Sequence, residues 1–129
     1  MPKAKEISVL LVEDQMSMRL LARQALQTIG FSQITEARNG REAMLLLDRE
    51  SFGLVLSDWN MEDVDGLTLL KLVRRHPRTS KLPFIMLTGN ADRDKVKIAI
   101  DAGVSNYIVK PVDIITMRKR IEMVMGVLA

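Results

Sequence analysis

The chain has 129 residues, 47% of them hydrophobic and 27% charged, which suits one folded domain rather than a disordered segment. It contains no cysteine, so disulfides and thiolate metal sites are excluded. A net charge of +3 is modest for this length and argues against nucleic-acid binding, and no apolar run is long enough to span a bilayer or to act as a signal peptide.

Five short apolar runs have the length and composition of buried β-strands. They are rich in Val, Ile and Leu without regular polar alternation, which is typical of strands that are covered on both faces. The predicted strands are Ile7–Val12, Gln33–Ala37, Leu54–Ser57, Phe84–Thr88 and Ser105–Val109.

Each of these runs is followed by a stretch in which apolar residues recur every three or four positions, the period of an amphipathic helix. The predicted stripes are Met18, Leu21, Ala22, Ala25, Leu26 and Ile29; Ala43, Leu46 and Leu47; Leu67, Leu70 and Val73; Val96, Ala99 and Ile100; and Met117, Ile121, Val124 and Leu128. Gly30 and Gly103 follow two of these stretches, where a left-handed residue commonly ends a helix. Asn39 with Glu42 has the spacing of an N-terminal capping box.

Five alternating strand and helix units predict an α/β fold, a doubly wound parallel sheet with helices on both faces. For five strands the common order is 2-1-3-4-5. In such a sheet, ligands bind at the carboxyl edge beside strands 1 and 3, where the direction of winding reverses. The candidate site is therefore expected where these two strands end.

Acidic residues follow both strands beside this crevice: Glu13 and Asp14 after strand 1, and Asp58 after strand 3. Two carboxylates about 4 Å apart repel each other by roughly 4 kcal/mol at an effective dielectric constant of 20. Such a cluster takes up protons or holds a cation. Oxygen ligands without His or Cys favour a hard ion, and Mg²⁺ fits because it accepts a few carboxylates and keeps several waters.

The next two strands end in groups that can bind phosphate. Thr88 closes strand 4, and Lys110 follows strand 5. A hydroxyl and an ammonium group that face Mg²⁺ across a small pocket can bind a dianionic phosphoryl group and neutralise its charge during transfer. The nucleophile is then one of the carboxylates, and Asp58 is the best candidate because its strand lies between the others that supply the pocket.

Six short motifs occur in order from one end of the chain to the other. They are Leu11-Val12-Glu13-Asp14, Ala37-Arg38-Asn39-Gly40 with Glu42-Ala43, Asp58-Trp59-Asn60-Met61, Asp65-Gly66, Thr88-Gly89 and Lys110-Pro111. Together they resemble the motifs of response-regulator receiver domains, particularly those of the single-domain chemotaxis type. The resemblance implies a flavodoxin-like (βα)5 fold. Receiver domains are a standard example of the 2-1-3-4-5 order, so the resemblance and the predicted order are not independent.

For the acidic residues, the resemblance implies one phosphoryl acceptor and one metal-binding site. Asp58 would accept a phosphoryl group from a histidine kinase. Glu13 and Asp14 would hold Mg²⁺ together with Asp58, and Asn60 would give the metal its backbone carbonyl.

For the later strands, the resemblance implies phosphate contacts and a switch. Thr88 would bond the phosphoryl oxygen once it arrives, and Lys110 would pair with the phosphoryl group, or with Asp58 before transfer. The bond between Lys110 and Pro111 is usually cis in the family. Tyr107 matches the aromatic switch residue whose ring turns inward when the threonine moves.

The other residues near Asp58 receive structural interpretations. Asp65 is expected to cap the helix that begins near the following glycine. Glu62, where the family usually has proline, and Asp63 are expected to be solvated loop residues. Trp59 is expected to be partly exposed, and Asn90 is expected to border the path of a water that attacks the acyl phosphate.

Basic residues concentrate on the fourth and fifth helical units and the strand end between them. They are Lys95, Lys97, Lys110, Arg118, Lys119 and Arg120. Together with Tyr107 they are interpreted either as an ordinary solvated surface or as a docking face for acidic partner segments. The resemblance implies that this face meets flagellar-motor or kinase peptides.

These observations predict a phosphorylation-driven signalling switch rather than an enzyme. We expect one receiver domain over residues 1–129 with no output domain, a cytoplasmic monomer that binds a histidine kinase and a motor switch or another signalling protein, and neither nucleic acid nor membrane. A phosphate sink without an effector remains an alternative. So does a Mg²⁺-dependent phosphatase, although such enzymes usually carry a second acid where this chain has Asn60.

Overall fold

The computed structural model describes residues 1–89 and 92–129, in which a 3₁₀ turn at Ala4–Glu6 is followed by strands and helices in strict alternation. The strands are β1 (Ser8–Val12), β2 (Gln33–Ala37), β3 (Leu54–Asp58), β4 (Phe84–Thr88) and β5 (Asn106–Val109). The helices are α1 (Met16–Ile29), α2 (Gly40–Arg49), α3 (Gly66–Arg75), α4 (Arg93–Asp101) and α5 (Ile114–Met125). Within these ranges, no helix combines the length and the apolar character needed to cross a bilayer.

The five strands form one parallel sheet in the order β2-β1-β3-β4-β5, which confirms the predicted flavodoxin-like topology. At the carboxyl edge, Val12 lies opposite Ala37 on one side and Ser57 on the other, and Asp58 lies opposite Leu87. The strands therefore end at nearly the same level. The chain winds outward from β1 to β2 and then back across to β3, which opens the crevice between β1 and β3.

Alternate side chains of the central strands enter two separate cores, one on each face of the sheet. On β1, Val9 and Leu11 pack under α1 and α5, while Leu10 and Val12 pack under α2 and α3. Every residue of β3 and β4 is buried, because helices cover both faces. The edge strand β2 is half-exposed, and Gln33 there is accessible. The cores leave the carboxyl edge as the place where polar groups collect.

Four helices begin at a side-chain cap. The caps are Asn39 for α2, Asp65 for α3, Asp92 for α4 and Asp113 for α5, and each accepts a hydrogen bond from the backbone N–H three residues further on. The predicted cap at Asp65 is thereby confirmed, and Asn39 caps α2 as the predicted box requires, while the Glu42 carboxylate pairs with Arg38. Gly30 and Gly103, both with positive φ, end α1 and α4 as predicted.

The strand boundaries shift slightly from the predicted ones. β1 begins at Ser8 rather than Ile7, and β5 begins at Asn106 rather than Ser105. The Ser105 hydroxyl instead accepts a hydrogen bond from the Phe84 backbone N–H at 3.0 Å, which fixes the entry to the strand. β3 extends one residue further than predicted, to Asp58. The candidate nucleophile is therefore part of the sheet.

In two helices the predicted apolar stripe includes side chains that are exposed in the structure, and in a third it extends beyond the end of the helix. Leu21 on α1 is 50% exposed and Ile100 on α4 is 60% exposed, whereas alanines on their inner faces are buried. Buried inner positions of these helices include alanines, and the larger flanking side chains lie outside. Leu128 lies beyond the end of α5, yet it is buried, and its N–H donates to Glu122 Oε2 at 2.8 Å.

Candidate functional site

The ends of β1 and β3 bring three carboxylates together. One oxygen each from Glu13, Asp14 and Asp58 lies within 4.8 Å of the others. Glu13 is fully buried and Asp58 is nearly so, while Asp14 is exposed. The three acids predicted from the strand ends thus share one corner of the molecule, with one member facing solvent.

The Lys110 side chain reaches into this corner from the end of β5. Its Nζ lies 2.9 Å from Asp58 Oδ1 and 3.1 Å from Glu13 Oε2, and the side chain is 17% exposed. The Lys110 backbone N–H donates to the Thr88 carbonyl at 2.8 Å, and the bond from Lys110 to Pro111 is cis. One ammonium group therefore bridges two buried carboxylates.

The pKa values in this corner reflect burial first and the neighbouring charges second. Burial raises the pKa of the Glu13 carboxyl above its ordinary range, and the Asp58 charge raises it further, while Lys110 acts in the opposite direction. Burial lowers the pKa of the Lys110 ammonium, but its hydrogen bond to Asp58 and the charges of both carboxylates outweigh that effect and raise it. Lys110 is therefore held protonated, and the corner still favours additional positive charge.

Backbone hydrogen bonds extend the sheet one residue past the ends of β1 and β3 and hold the backbone at Glu13 and Asp58. The Glu13 N–H donates to the Ala37 carbonyl, and the Trp59 N–H donates to the Leu87 carbonyl, both at 3.0 Å. The backbones at Glu13 and Asp58 are thus held by the sheet, whereas Asp14 lies beyond these bonds.

The other predicted site residues differ in their exposure. Thr88 is buried at the end of β4, and Asn60 is exposed two residues beyond Asp58. Tyr107 on β5 is half-buried, with the Arg120 guanidinium 5.1 Å from the centre of its ring. Asn90 lies outside the described residues. The assigned roles of these residues stay predictions.

Two contacts near Asp58 were missed by the sequence reasoning. Trp59 is only 8% exposed rather than partly exposed, because it packs in the core and the Lys95 ammonium lies 5.1 Å from the centre of its ring. Asp63 is exposed as predicted but pairs with Arg41. The partners lie 36 and 22 positions apart in sequence, so no local pattern could have indicated them.

The basic residues that the sequence analysis groups into one docking face have different surroundings in the structure. Lys110 points into the acidic corner, so its assignment to the docking face is wrong. Lys95 lies over an indole ring, and Arg120 lies over Tyr107. Exposed basic side chains on α4 and α5 include Lys97, Arg118 and Lys119. Exposed apolar side chains on the same two helices are Ile98, Ile100, Ile114, Ile115 and Met123.

The fold and the composition of this corner agree with the comparison to known families. The profile of the response regulator receiver domain matches residues 9–122. The chain belongs to this family, whose members act in two-component signalling.

Within the family, the most informative relatives are chemotaxis proteins. "Probable chemotaxis protein CheY" of Rhizobium etli is 42% identical over 125 residues, which cover 97% of each chain. Chemotaxis protein CheY-3 of Vibrio cholerae is 35% identical over 118 residues, covering 92% of this chain and 91% of the other. The crystal structure of CheY4 of Vibrio cholerae superposes with a TM-score of 0.85 at 30% identity, covering 92% of this chain and 98% of that one. The chain is thus a CheY-like receiver domain.

Proposed function

We propose that the protein is a phosphorylation-activated switch that accepts a phosphoryl group on Asp58 from a histidine kinase. The observation that carries the proposal is the Lys110 ammonium, which bridges the buried carboxylates of Asp58 and Glu13 at 2.9 and 3.1 Å. An ammonium in this position can neutralise a phosphoryl group attached to either neighbour. The raised pKa of Glu13 supports the need for a further cation.

The donor set of the acidic corner fits Mg²⁺. It consists of three carboxylates with oxygens within 4.8 Å of one another, the Asn60 carbonyl follows two residues after Asp58, and neither sulfur nor imidazole belongs to the set. Glu13, Asp14 and Asp58 would hold the ion together with that carbonyl. When bound, Mg²⁺ supplies positive charge to the oxygens of the incoming phosphoryl group.

In the transfer itself, a carboxylate oxygen of Asp58 attacks the phosphorus of a phosphohistidine. A new O–P bond forms, the P–N bond breaks, and the imidazole leaves with the bonding electrons and takes a proton from solvent. Lys110 donates to the phosphoryl oxygens, which keeps the attacking carboxylate and the transferred group in line. The Thr88 hydroxyl, buried at the end of the neighbouring strand, donates to another oxygen of the product.

Phosphorylation is coupled to the surface formed by α4, β5 and α5 through the strands β4 and β5. The Lys110 N–H donates to the Thr88 carbonyl at 2.8 Å. A shift of Thr88 toward the phosphoryl group therefore also displaces β5, the strand that carries Tyr107. The result is a change in the population of two existing conformations of the α4-β5-α5 face. That face then binds a signalling partner of the flagellar-motor type.

The outer surface of α4 and α5 is suited to an acidic amphipathic peptide, because it combines exposed lysines with exposed isoleucines. Lys97→Glu with Lys119→Glu is expected to weaken binding of a flagellar-motor switch peptide by about 10-fold through charge repulsion. Isothermal titration calorimetry measures this, and Lys71→Glu on α3 is the control. Arg120 is left intact because it contacts Tyr107. An unchanged Kd contradicts this docking face.

The transfer is tested by replacing Asp58 with Asn, which keeps the shape of the side chain and removes the nucleophilic charge. With Mg²⁺ and a small phosphodonor, the wild type is expected to gain one phosphoryl group by mass spectrometry and to change its Trp59 fluorescence, and Asp58→Asn is expected to do neither. Asp48→Asn, an exposed acid on α2, is the control. Equal labelling of wild type and Asp58→Asn would falsify the proposal.

The same assay separates the remaining functional classes. We propose that the protein is not an enzyme with its own substrate, and that Asp58 catalyses only its own phosphorylation and dephosphorylation. Multiple turnover of small phosphomonoesters would instead indicate a phosphatase. If the protein is labelled normally but no partner binds its phosphorylated and unphosphorylated forms with different affinity, a phosphate sink is indicated. We further propose that the protein acts as a cytoplasmic monomer without binding nucleic acid or membrane.

A further inference from the structure

The helix α1 starts beside the acidic corner without a side-chain cap. Its N-cap residue Gln15 makes no side-chain cap hydrogen bond, and its first turn contains no acid. The other four helices each have an Asn or Asp cap. Within the segment 13–15, which carries two of the three acids, the Gln15 N–H donates a long hydrogen bond to Glu13 Oε1 at 3.4 Å, so a further contact to the backbone of this segment would help to hold its direction.

Arg19 supplies this contact from the first turns of α1. Its Nη1 donates to the Glu13 carbonyl at 2.9 Å, so the guanidinium holds the backbone of the segment directly. The Arg19 side chain is 13% exposed, which shields the hydrogen bond from water and strengthens it. The Glu13 carboxylate is held from the other side by Lys110 at 3.1 Å. Glu13 is thus fixed at both its carbonyl and its carboxylate.

Glu36 on β2 keeps the Arg19 guanidinium in place. The Arg19 Nε lies 3.5 Å from Glu36 Oε1, and the adjacent residue Ala37 accepts a hydrogen bond from the Glu13 N–H. Arg23 lies one helical turn further from the acidic corner and shares Glu36, with its Nη1 3.3 Å from Oε2. The two arginines therefore share an ion-pair partner, whereas the hydrogen bond to Glu13 comes from Arg19.

We propose that Arg19 is a positioning residue for the acidic corner. By holding the Glu13 carbonyl, it directs the Glu13 and Asp14 carboxylates toward Asp58, in place of the missing cap. The consequence for Mg²⁺ rests on the proposed function, since it requires the corner to bind the ion. The consequence for the backbone of the segment does not, because the hydrogen bond exists without any ion.

The test compares Arg19→Met, which keeps the aliphatic stem and loses the donors, with Arg23→Met. In metal-free protein, the amide resonances of Asp14 and Gln15 are expected to shift in Arg19→Met and to stay near their wild-type positions in Arg23→Met. Trp59 fluorescence is expected to give a Mg²⁺ Kd about 10-fold weaker for Arg19→Met, the lower end of what outer ligand partners contribute. Arg23→Met is expected to bind like the wild type.

A wild-type Mg²⁺ affinity in Arg19→Met, or an equal loss in Arg23→Met, overturns the positioning role. A wild type that does not respond to Mg²⁺ overturns the proposed metal site instead, and the amide resonances then decide the role of Arg19 alone. Urea unfolding in EDTA shows whether each variant is folded. If Arg19→Met is not, Arg19→Lys replaces it, because one ammonium cannot hold both Glu13 and Glu36; unchanged resonances and Kd in that variant also overturn the proposal.

Discussion

Replacing Lys110 by Met is expected to lower the free energy of unfolding of the metal-free protein by about 3 kcal/mol, the lower end of what breaking a buried ion pair costs. The ammonium lies 2.9 Å from Asp58 and 3.1 Å from Glu13, and its removal leaves two buried carboxylates facing each other. Urea unfolding in EDTA, followed by circular dichroism, measures the loss. Added Mg²⁺ is expected to restore part of it, because an ion that binds only the folded state stabilises that state.

Lys119→Met is the matched control, since it removes an equal charge from an exposed position on α5.

The pH dependence of the free energy of unfolding is a second check. The pKa of Glu13 is raised in the folded protein, so folding takes up a proton, and stability is lost as the pH rises through that raised value. Without Lys110 the pKa rises further, and the deficit of the variant is expected to shrink as the pH is lowered toward the ordinary range of a glutamate. Equal deficits for both methionine variants contradict the central role of Lys110.

Gly66→Ala is expected to lower the free energy of unfolding by about 3 kcal/mol or more, a large part of the stability of a domain this size. An added Cβ would lie 2.2 Å from the Asp58 carbonyl oxygen and 2.9 Å from the Trp59 Cα, and backbone atoms cannot rotate away. The contact with Met86 Sδ at 2.8 Å is easier to relieve, because that side chain is flexible. Chemical denaturation followed by circular dichroism measures the effect.

The control for this change is Gly89→Ala, because an added Cβ at Gly89 meets no atom within 4 Å among the described residues. That variant is expected to stay within about 0.5 kcal/mol of the wild type. The Gly66 N–H also donates to the Trp59 carbonyl at 2.9 Å and closes the loop that carries Asn60. A stable Gly66→Ala protein with normal Mg²⁺ affinity is the result that would contradict this account of the loop.

The strand order and the grouping of the three acids could be anticipated because both follow from local patterns. A parallel sheet places all carboxyl strand ends at one edge, so residues that are far apart in sequence meet once the strands are assigned. Glu13 and Asp58 follow this rule directly. The caps at Asn39 and Asp65 could be anticipated for a similar reason, since each contact spans only three residues.

Contacts between elements could not be anticipated in the same way. The resemblance implies that Lys110 pairs with Asp58 before transfer, but only the structure shows that the same ammonium also lies 3.1 Å from Glu13, inside the acidic corner rather than on the basic surface. The stacking of Lys95 on Trp59 and the hydrogen bond from Arg19 to the Glu13 carbonyl depend on how helices lie against the sheet edge. Side-chain direction at such places is set by packing rather than by spacing.

The amino-acid sequence by itself determined that this protein is a parallel α/β sheet with an acidic, lysine-bearing corner at one edge. The spacing of apolar residues and the identity of the residues at the strand ends are local properties of the chain. Parallel pairing of the strands then brings these ends together in one site. Only the tertiary structure decided the full set of partners of these charged groups: one lysine between two buried acids, and one arginine that donates to the backbone carbonyl behind them. Those pairings depend on distances of a few ångströms between separate elements, and burial makes each of them strong because water no longer screens it.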